Sequence, residues 1–329
     1  MSKQKDHKMK KLLLAGVAAI GLSFGAMAAD NVATIDQVGE NNVNTQTQTG
    51  TNGSAAASQN GARNQISQTQ TGPRSTATTT QNGNDHYTSS NQNGRGTVTQ
   101  NQGGNRNRAT VAQTNSLGNS ANSPVLANTA TQTQGGEDNK ADIVQSGYSL
   151  NATQTQGGVH NDAGINQSGV GSSATQSQTG SDNYVRVAQS NGTGNTSTQR
   201  QDGTNNQAFG TQIGSSQSLQ QTQGGSNNYA TSTQQGSNRS GVTQNQQGVS
   251  GTVIAYQGNA TDSTIQQIQT AASSRRRAES TQSNGSFLRA YITQNSGVDN
   301  RAFTDQQGFN NVATVNQTGS GNRSTTTQR

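Results

Sequence analysis

The chain has no cysteine and no tryptophan, and only two prolines. Without cysteine there is no disulfide and no thiolate metal site. Aromatic residues make up 3% of the chain, charged residues 11% and hydrophobic residues 25%. An ordinary globular domain is about half apolar, so a conventional core is excluded. Mean hydropathy is −0.92, which by composition alone places the chain among disordered, prion-like segments. Three histidines in 329 residues argue against a transition-metal centre. No run after residue 28 has the roughly 20 apolar residues a membrane span needs.

The first residues read as a targeting segment. Lys3, Lys5, Lys8, Lys10 and Lys11 form a basic start, residues 12–25 an apolar run, and Ala26-Met27-Ala28 a small-x-small cleavage signal. The expected domains are therefore a cleaved leader at 1–28 and one repeat domain at 29–329. The formal charge of +6 is mostly leader: five of 21 basic and one of 15 acidic residues lie there, leaving 16 against 14. Near neutrality removes the case for a nucleic-acid partner.

What the chain does have is Gln-x-Gly every 11 residues. The tripeptide starts at Gln37, Gln48, Gln59, Gln70, Gln81 and Gln92 without a slip, and returns at Gln134, Gln145, Gln156, Gln167 and Gln178. A strict short period means stacked units sharing one core. An asparagine follows alternate glutamines by five residues, so the full unit is about 22 residues with unlike halves. One half reads Asn-x-(Ala/Val)-x-(Ile/Val)-x-Gln, as in Asn139-Ala141-Ile143-Gln145, Asn161-Ala163-Ile165-Gln167 and Asn183-Val185-Val187-Gln189. The other reads Ser-x-Ala-x-(Thr/Gln)-x-Gln, as in Ser172-Ala174-Gln176-Gln178.

Patterned positions two apart are a strand signature. Each half is expected to be one strand with its patterned side facing inward. The fold class is then all-β: a solenoid of about 13 two-strand coils, with parallel in-register strands. Asn206, Gln212, Asn228 and Gln234 extend the inward set. Identical amides stacked in register hydrogen-bond from coil to coil, which removes the cost of burying them. The turns are assigned to Gly136, Gly147, Gly158, Gly169, Gly180, Gly203, Gly214, Gly225 and Gly236. Two stretches break the period, 114–133 with Pro124 and 258–305 with an Arg-rich turn over 273–280. Both are expected to be variant coils.

Little else suggests chemistry. His86 and His160 are expected in solvated turns, and Arg275-Arg276-Arg277 in a solvated loop. Asp138, Asp162, Asp182 and Asp202 should line one edge of the rod and discourage sideways aggregation. The six tyrosines, Tyr87 to Tyr291, are expected on the surface. No base is positioned to activate a serine or threonine, so no catalytic residue, metal or cofactor is expected.

The unit Ser-x5-Gln-x-Gly-x-x-Asn-x-Ala-x3-Gln resembles the curlin repeat. Ser172, Gln178, Gly180, Asn183 and Gln189 fall on the motif, with Val185 in place of its alanine. The resemblance implies a secreted fibre subunit of a bacterial biofilm matrix, more a major than a nucleating one. It also implies partners: a nucleating subunit, periplasmic chaperones, an outer-membrane pore and matrix polysaccharide. The chain has more repeats than familiar curlins and lacks a Gly-rich segment before them. Both termini carry the repeat pattern, and matching open ends build filaments. Two other classes are an adhesin passenger and a monomeric ligand- or ice-binding solenoid. The second needs Thr-x-Thr in register on a flat face, whereas pieces such as Thr76-Thr78-Thr80 are not expected to repeat in register.

Overall fold

A computed structural model describes residues 19–24, 30–115, 127–270 and 273–329. Every named strand pairing in it is parallel, in two facing sheets. Successive strands alternate between the sheets, so two strands and two turns close one coil. The asparagine halves form one sheet, from Val43–Gln48 to Arg323–Gln328. The serine halves form the other, from Val32–Val38 to Val312–Gln317. After residue 30 each sheet contributes 13 strands to its continuous path, hence 13 coils.

The alternation is local chemistry made visible. In Lys140–Tyr148 buried and open residues alternate, with Ala141, Ile143 and Gln145 inside. Aliphatic and amide positions complement each other across the core. Gln154 and Gln176 of the serine sheet sit at the coil levels where the asparagine sheet supplies Ile143 and Ile165. In the first coils the roles exchange, with Gln46 and Gln68 on one side and Ile35 and Ala57 on the other. At these middle positions a long amide therefore meets a shorter or apolar partner, which lets the two inward faces interdigitate.

The stretch 114–133 adds no separate coil to the two ladders. Gly96 pairs directly with Asn128 and Arg108 with Lys140, a step of 32 residues. The usual step is 22, as from Lys140 to Asp162. The extra residues fall in sequence between strands Arg108–Thr114 and Asn128–Gln134, and Pro124 lies outside the described residues. Across 258–305 the stack continues through steps of 25 and 24, with the added length in turns. Arg277 opens strand Arg277–Ser286, so the Arg-rich segment is only partly turn. The assigned cleavage residues Ala26 and Ala28 lie outside the described residues. Ahead of them, Ala19–Phe24 forms a strand that pairs with Val43–Gln48.

Candidate assembly surface

Glutamine occupies the last inward position of all 13 coils in both sheets, from Gln37 to Gln317 and from Gln48 to Gln328. Along these ladders the amide nitrogen donates to the carbonyl of the glutamine one coil onward. Gln113 donates to Gln145 at 2.8 Å, Gln145 to Gln167 at 2.9 Å and Gln167 to Gln189 at 2.8 Å. The second hydrogen crosses the core, as from Gln145 to the Thr129 carbonyl at 3.1 Å. Gln156 reaches the Lys140 carbonyl at 2.8 Å from the other side. The same amides that join coils therefore also tie the two sheets together.

Asparagines cap the turns. Asn161 Nδ2 donates to the carbonyls of Gly157 and Gly180, while its Oδ1 accepts the Asn183 backbone N–H at 3.1 Å. The preceding residue is left-handed, as at Asp138, His160 and Asp182 with φ of 55°, 56° and 55°. That conformation costs about 1–2 kcal/mol for a residue with a side chain, and the cap bonds offset it. Asn139, Asn161, Ser172, Asn183, Asn206 and Asn228 are all buried, as are Ala141, Ala163, Ala174, Val185, Ile165 and Val187. Gln178, Gln189, Gln212 and Gln234 are buried with them.

The turn glycines carry a double constraint. Gly136, Gly147, Gly158, Gly169, Gly180, Gly203, Gly214, Gly225 and Gly236 all have positive φ. A Cβ on Gly158 would lie 2.0 Å from the Gly180 carbonyl oxygen of the next coil. Glycine is thus required by the backbone angle and by the coil above.

Two residues expected in solvent are inside. His86 takes an asparagine slot and is buried. Its Nδ1 faces the Asn107 N–H at 3.3 Å and must accept it, so the proton sits on Nε2, which donates to the Asn82 carbonyl at 3.2 Å. The ring is neutral, and burial pushes its pKa down. Arg276 takes another asparagine slot and is buried, donating to the carbonyls of Gln294 and Thr270. Burial lowers its pKa to about 10. Sequence spacing held the signal for both, since His86 and Arg276 stand before Gln92 and Gln282 at the same distance as Asn139 stands before Gln145, and in the structure each follows a left-handed residue, Asp85 or Arg275. His160 does occupy an exposed turn position.

The four aspartates border one turn stack in different ways. Asp138 and Asp182 flank His160, each at 3.5 Å. Asp162 pairs with Arg186 at 2.6 Å on the outer face, and Asp202 with Arg200 at 2.7 Å. Arg63 grips Asp85 through two bonds of 2.6 and 2.7 Å, and Arg106 grips Asp138 through two of 2.9 Å. Hydrogen bonds from these arginines hold the Asp85 and Asp138 carboxyls below their usual range. Exposed pairs of this kind add little stability each, but the Arg63 and Arg106 pairs span neighbouring coils and favour the correct register. Among the described residues no group of three or more His, Asp or Glu is placed to hold a metal.

Residues 297–329 match the family model described as Curlin associated repeat. This C-terminal segment is similar to the curlin-associated repeat. The matched segment holds the final coils, Arg301–Phe309, Val312–Gln317 and Arg323–Gln328, whose Gln306, Gln317 and Gln328 continue the two glutamine ladders. The same register runs back to Gln37, so the matched curlin coils and the rest of the stack share one geometry. No curated protein matches the chain.

Proposed function

We propose that the chain is the structural subunit of an extracellular, curli-like amyloid fibre of a biofilm matrix, growing end to end as a homopolymer without enzymatic activity. The observation that carries this reading is the direction of the ladders. In each glutamine-to-glutamine bond the earlier coil donates and the later coil accepts, as from Gln48 to Gln70 and from Gln306 to Gln328. The N-terminal end of the rod is therefore left with acceptors. There the carbonyl oxygens of Gln37, Gln46 and Gln48 and both amide atoms of Asn44 are buried without partners. At the other end of the path strand Arg323–Gln328 pairs with Arg301–Phe309 on one side and carries Ser324, Thr326 and Gln328 at the matching positions.

Stacking the last coil of one copy under the first coil of the next sets Ser324 against Asn44, Thr326 against Gln46 and Gln328 against Gln48. In the serine sheet Ala313 meets Ala33, Val315 meets Ile35 and Gln317 meets Gln37. Polar groups meet the unpartnered amides, and apolar groups meet apolar groups. Such a contact is heterologous and does not close, which makes a filament. The leader strand Ala19–Phe24 occupies the place of the incoming strand on Val43–Gln48, so leader removal is a condition for growth at this end. A nucleating subunit, chaperones, a pore and matrix polysaccharide complete the reading by likeness to curlins.

The test is seeded elongation of the leader-free chain, followed by thioflavin fluorescence and imaging. Thr326→Lys places a charge in the junction while altering only an end coil. It should fold yet fail to accept the next subunit. Wild-type chain that stays a soluble β-rich monomer even when seeded, or growth of the lysine variant at the wild-type rate, refutes the reading.

A further inference from the structure

The two outer faces of the solenoid differ in kind. The asparagine sheet carries rings and charges outward: Tyr184, Phe209 and Tyr229 stack at 5.5 and 5.7 Å, and Arg108 lies 4.8 Å from the Tyr87 ring centre. All register shifts recorded among the described residues fall in this sheet. The serine sheet pairs without a shift, and from residue 76 to residue 198 its outward strand positions hold threonine, serine and asparagine, with Gly103 as the one exception.

Threonine pieces that do not align by counting along the sequence do align in space. The 32-residue step at residue 96 hides the alignment from the sequence. Thr78, Thr99, Thr131, Thr153, Thr175 and Thr198 are successive ladder partners and form one column. Thr76, Thr97 and Thr129 stand on one side of it. Thr80, Thr133 and Thr155 stand on the other. Arg200 is the first charge to interrupt the face. The columns repeat about every 4.8 Å between coils and about 6.6 Å along a strand.

We propose that this face adsorbs to ice. A face of regularly paired strands without charge or ring presents no convergent polar groups, which gripping a small molecule in a concave site needs. A polysaccharide lattice would be held by stacked aromatic rings, and none lies in this array. The array offers one methyl and one hydroxyl per threonine, on side chains stiff at χ1, at fixed spacings in two dimensions. Each contact is weak, and they sum only against a partner that is itself periodic on the same few-ångström scale. Crystalline water is such a partner, with hydroxyls entering its hydrogen-bond net and methyls filling the spaces between. The property belongs to the single folded chain, so it stands whether or not fibres form.

The experiment measures ice recrystallisation and ice-crystal shape with the folded chain, as monomer and as fibre if it assembles. Wild type should slow recrystallisation and facet the crystals. Thr131→Arg with Thr153→Arg should abolish both effects. Thr211→Arg with Thr233→Arg, on the other outer face, should keep them. Thr131→Ser with Thr153→Ser removes only two methyls and should weaken the effect, with circular dichroism confirming the fold. A wild-type chain that leaves ice growth unchanged overturns the proposal, as does equal loss in the two arginine variants. So does loss of side-by-side association alone in the Thr131 and Thr153 variants, which would assign the face to a second copy.

Discussion

Replacing Gln145 with leucine measures what the buried amides contribute. Gln145 accepts from Gln113 and donates to Gln167 and to the Thr129 carbonyl. Leucine fits the volume but leaves three buried groups short of a partner. At about 1–3 kcal/mol for each buried group left unsatisfied, the loss is about 3–9 kcal/mol. Burial of the leucine returns about 1.5–3 kcal/mol, so the net destabilisation, with low and high ends paired, should be about 1.5–6 kcal/mol. Urea unfolding followed by circular dichroism reads this as a lower midpoint, with the slope checked for loss of cooperativity. A sharper comparison replaces Gln113, Gln145 and Gln167 together. Within the ladder a single leucine and a run of three both leave only two ends, although the triple also orphans the Thr97 and Asn151 carbonyls across the core. The triple variant should therefore cost less than three times the single one. An unchanged midpoint for Gln145→Leu, or strict additivity in the triple, would refute the ladder as the source of cohesion.

Gly158→Ala should destabilise by about 2–5 kcal/mol, combining a left-handed alanine with overlap against the next coil, and the same urea assay reads it. His86→Asn should change the acid dependence of stability. The buried ring has a lowered pKa, so the unfolded chain binds a proton that the folded chain refuses. Stability is then lost as pH falls below the unfolded value of about 6.5; asparagine should remove that slope in unfolding midpoints taken between pH 7 and pH 5. Arg276→Asn should raise the midpoint at pH 7, because a buried cation is replaced by the capping amide used at Asn300, which donates to the Ser296 and Gly319 carbonyls. The parent's pKa of about 10 lies below the ordinary arginine value, so the folded chain releases this proton before the unfolded chain does, and the parent should gain stability as pH rises above 10 while the variant should not.

How far the sequence revealed this molecule depended on whether a constraint acts on one residue type. The glutamine slot accepts only an amide long enough to reach both the next coil and the opposite sheet, and both ladders hold glutamine from end to end. The glycine slot is fixed by positive φ and by the 2.0 Å approach of the next coil. Those two slots made the period visible, and with it the coil, the strand pairing and the inward face.

The asparagine slot is looser, because its task is to accept one N–H and donate to turn carbonyls. A neutral imidazole does the first through Nδ1 and the second through Nε2, and a guanidinium does the second alone. Reading His86 and Arg276 by residue type placed them in solvent, whereas reading them by position after a left-handed residue places them inside. The outward positions obey no ladder at all, so nothing in the repeat protects their spacing along the chain. Their alignment depends on which strands stack, and that was masked wherever an insertion lengthened a turn. The 32-residue step between Arg108–Thr114 and Lys140–Tyr148, in place of the usual 22, leaves both sheets in register. The threonine columns therefore continue across a break that sequence counting cannot cross, and a surface of this kind is legible only once the stack itself has been assembled.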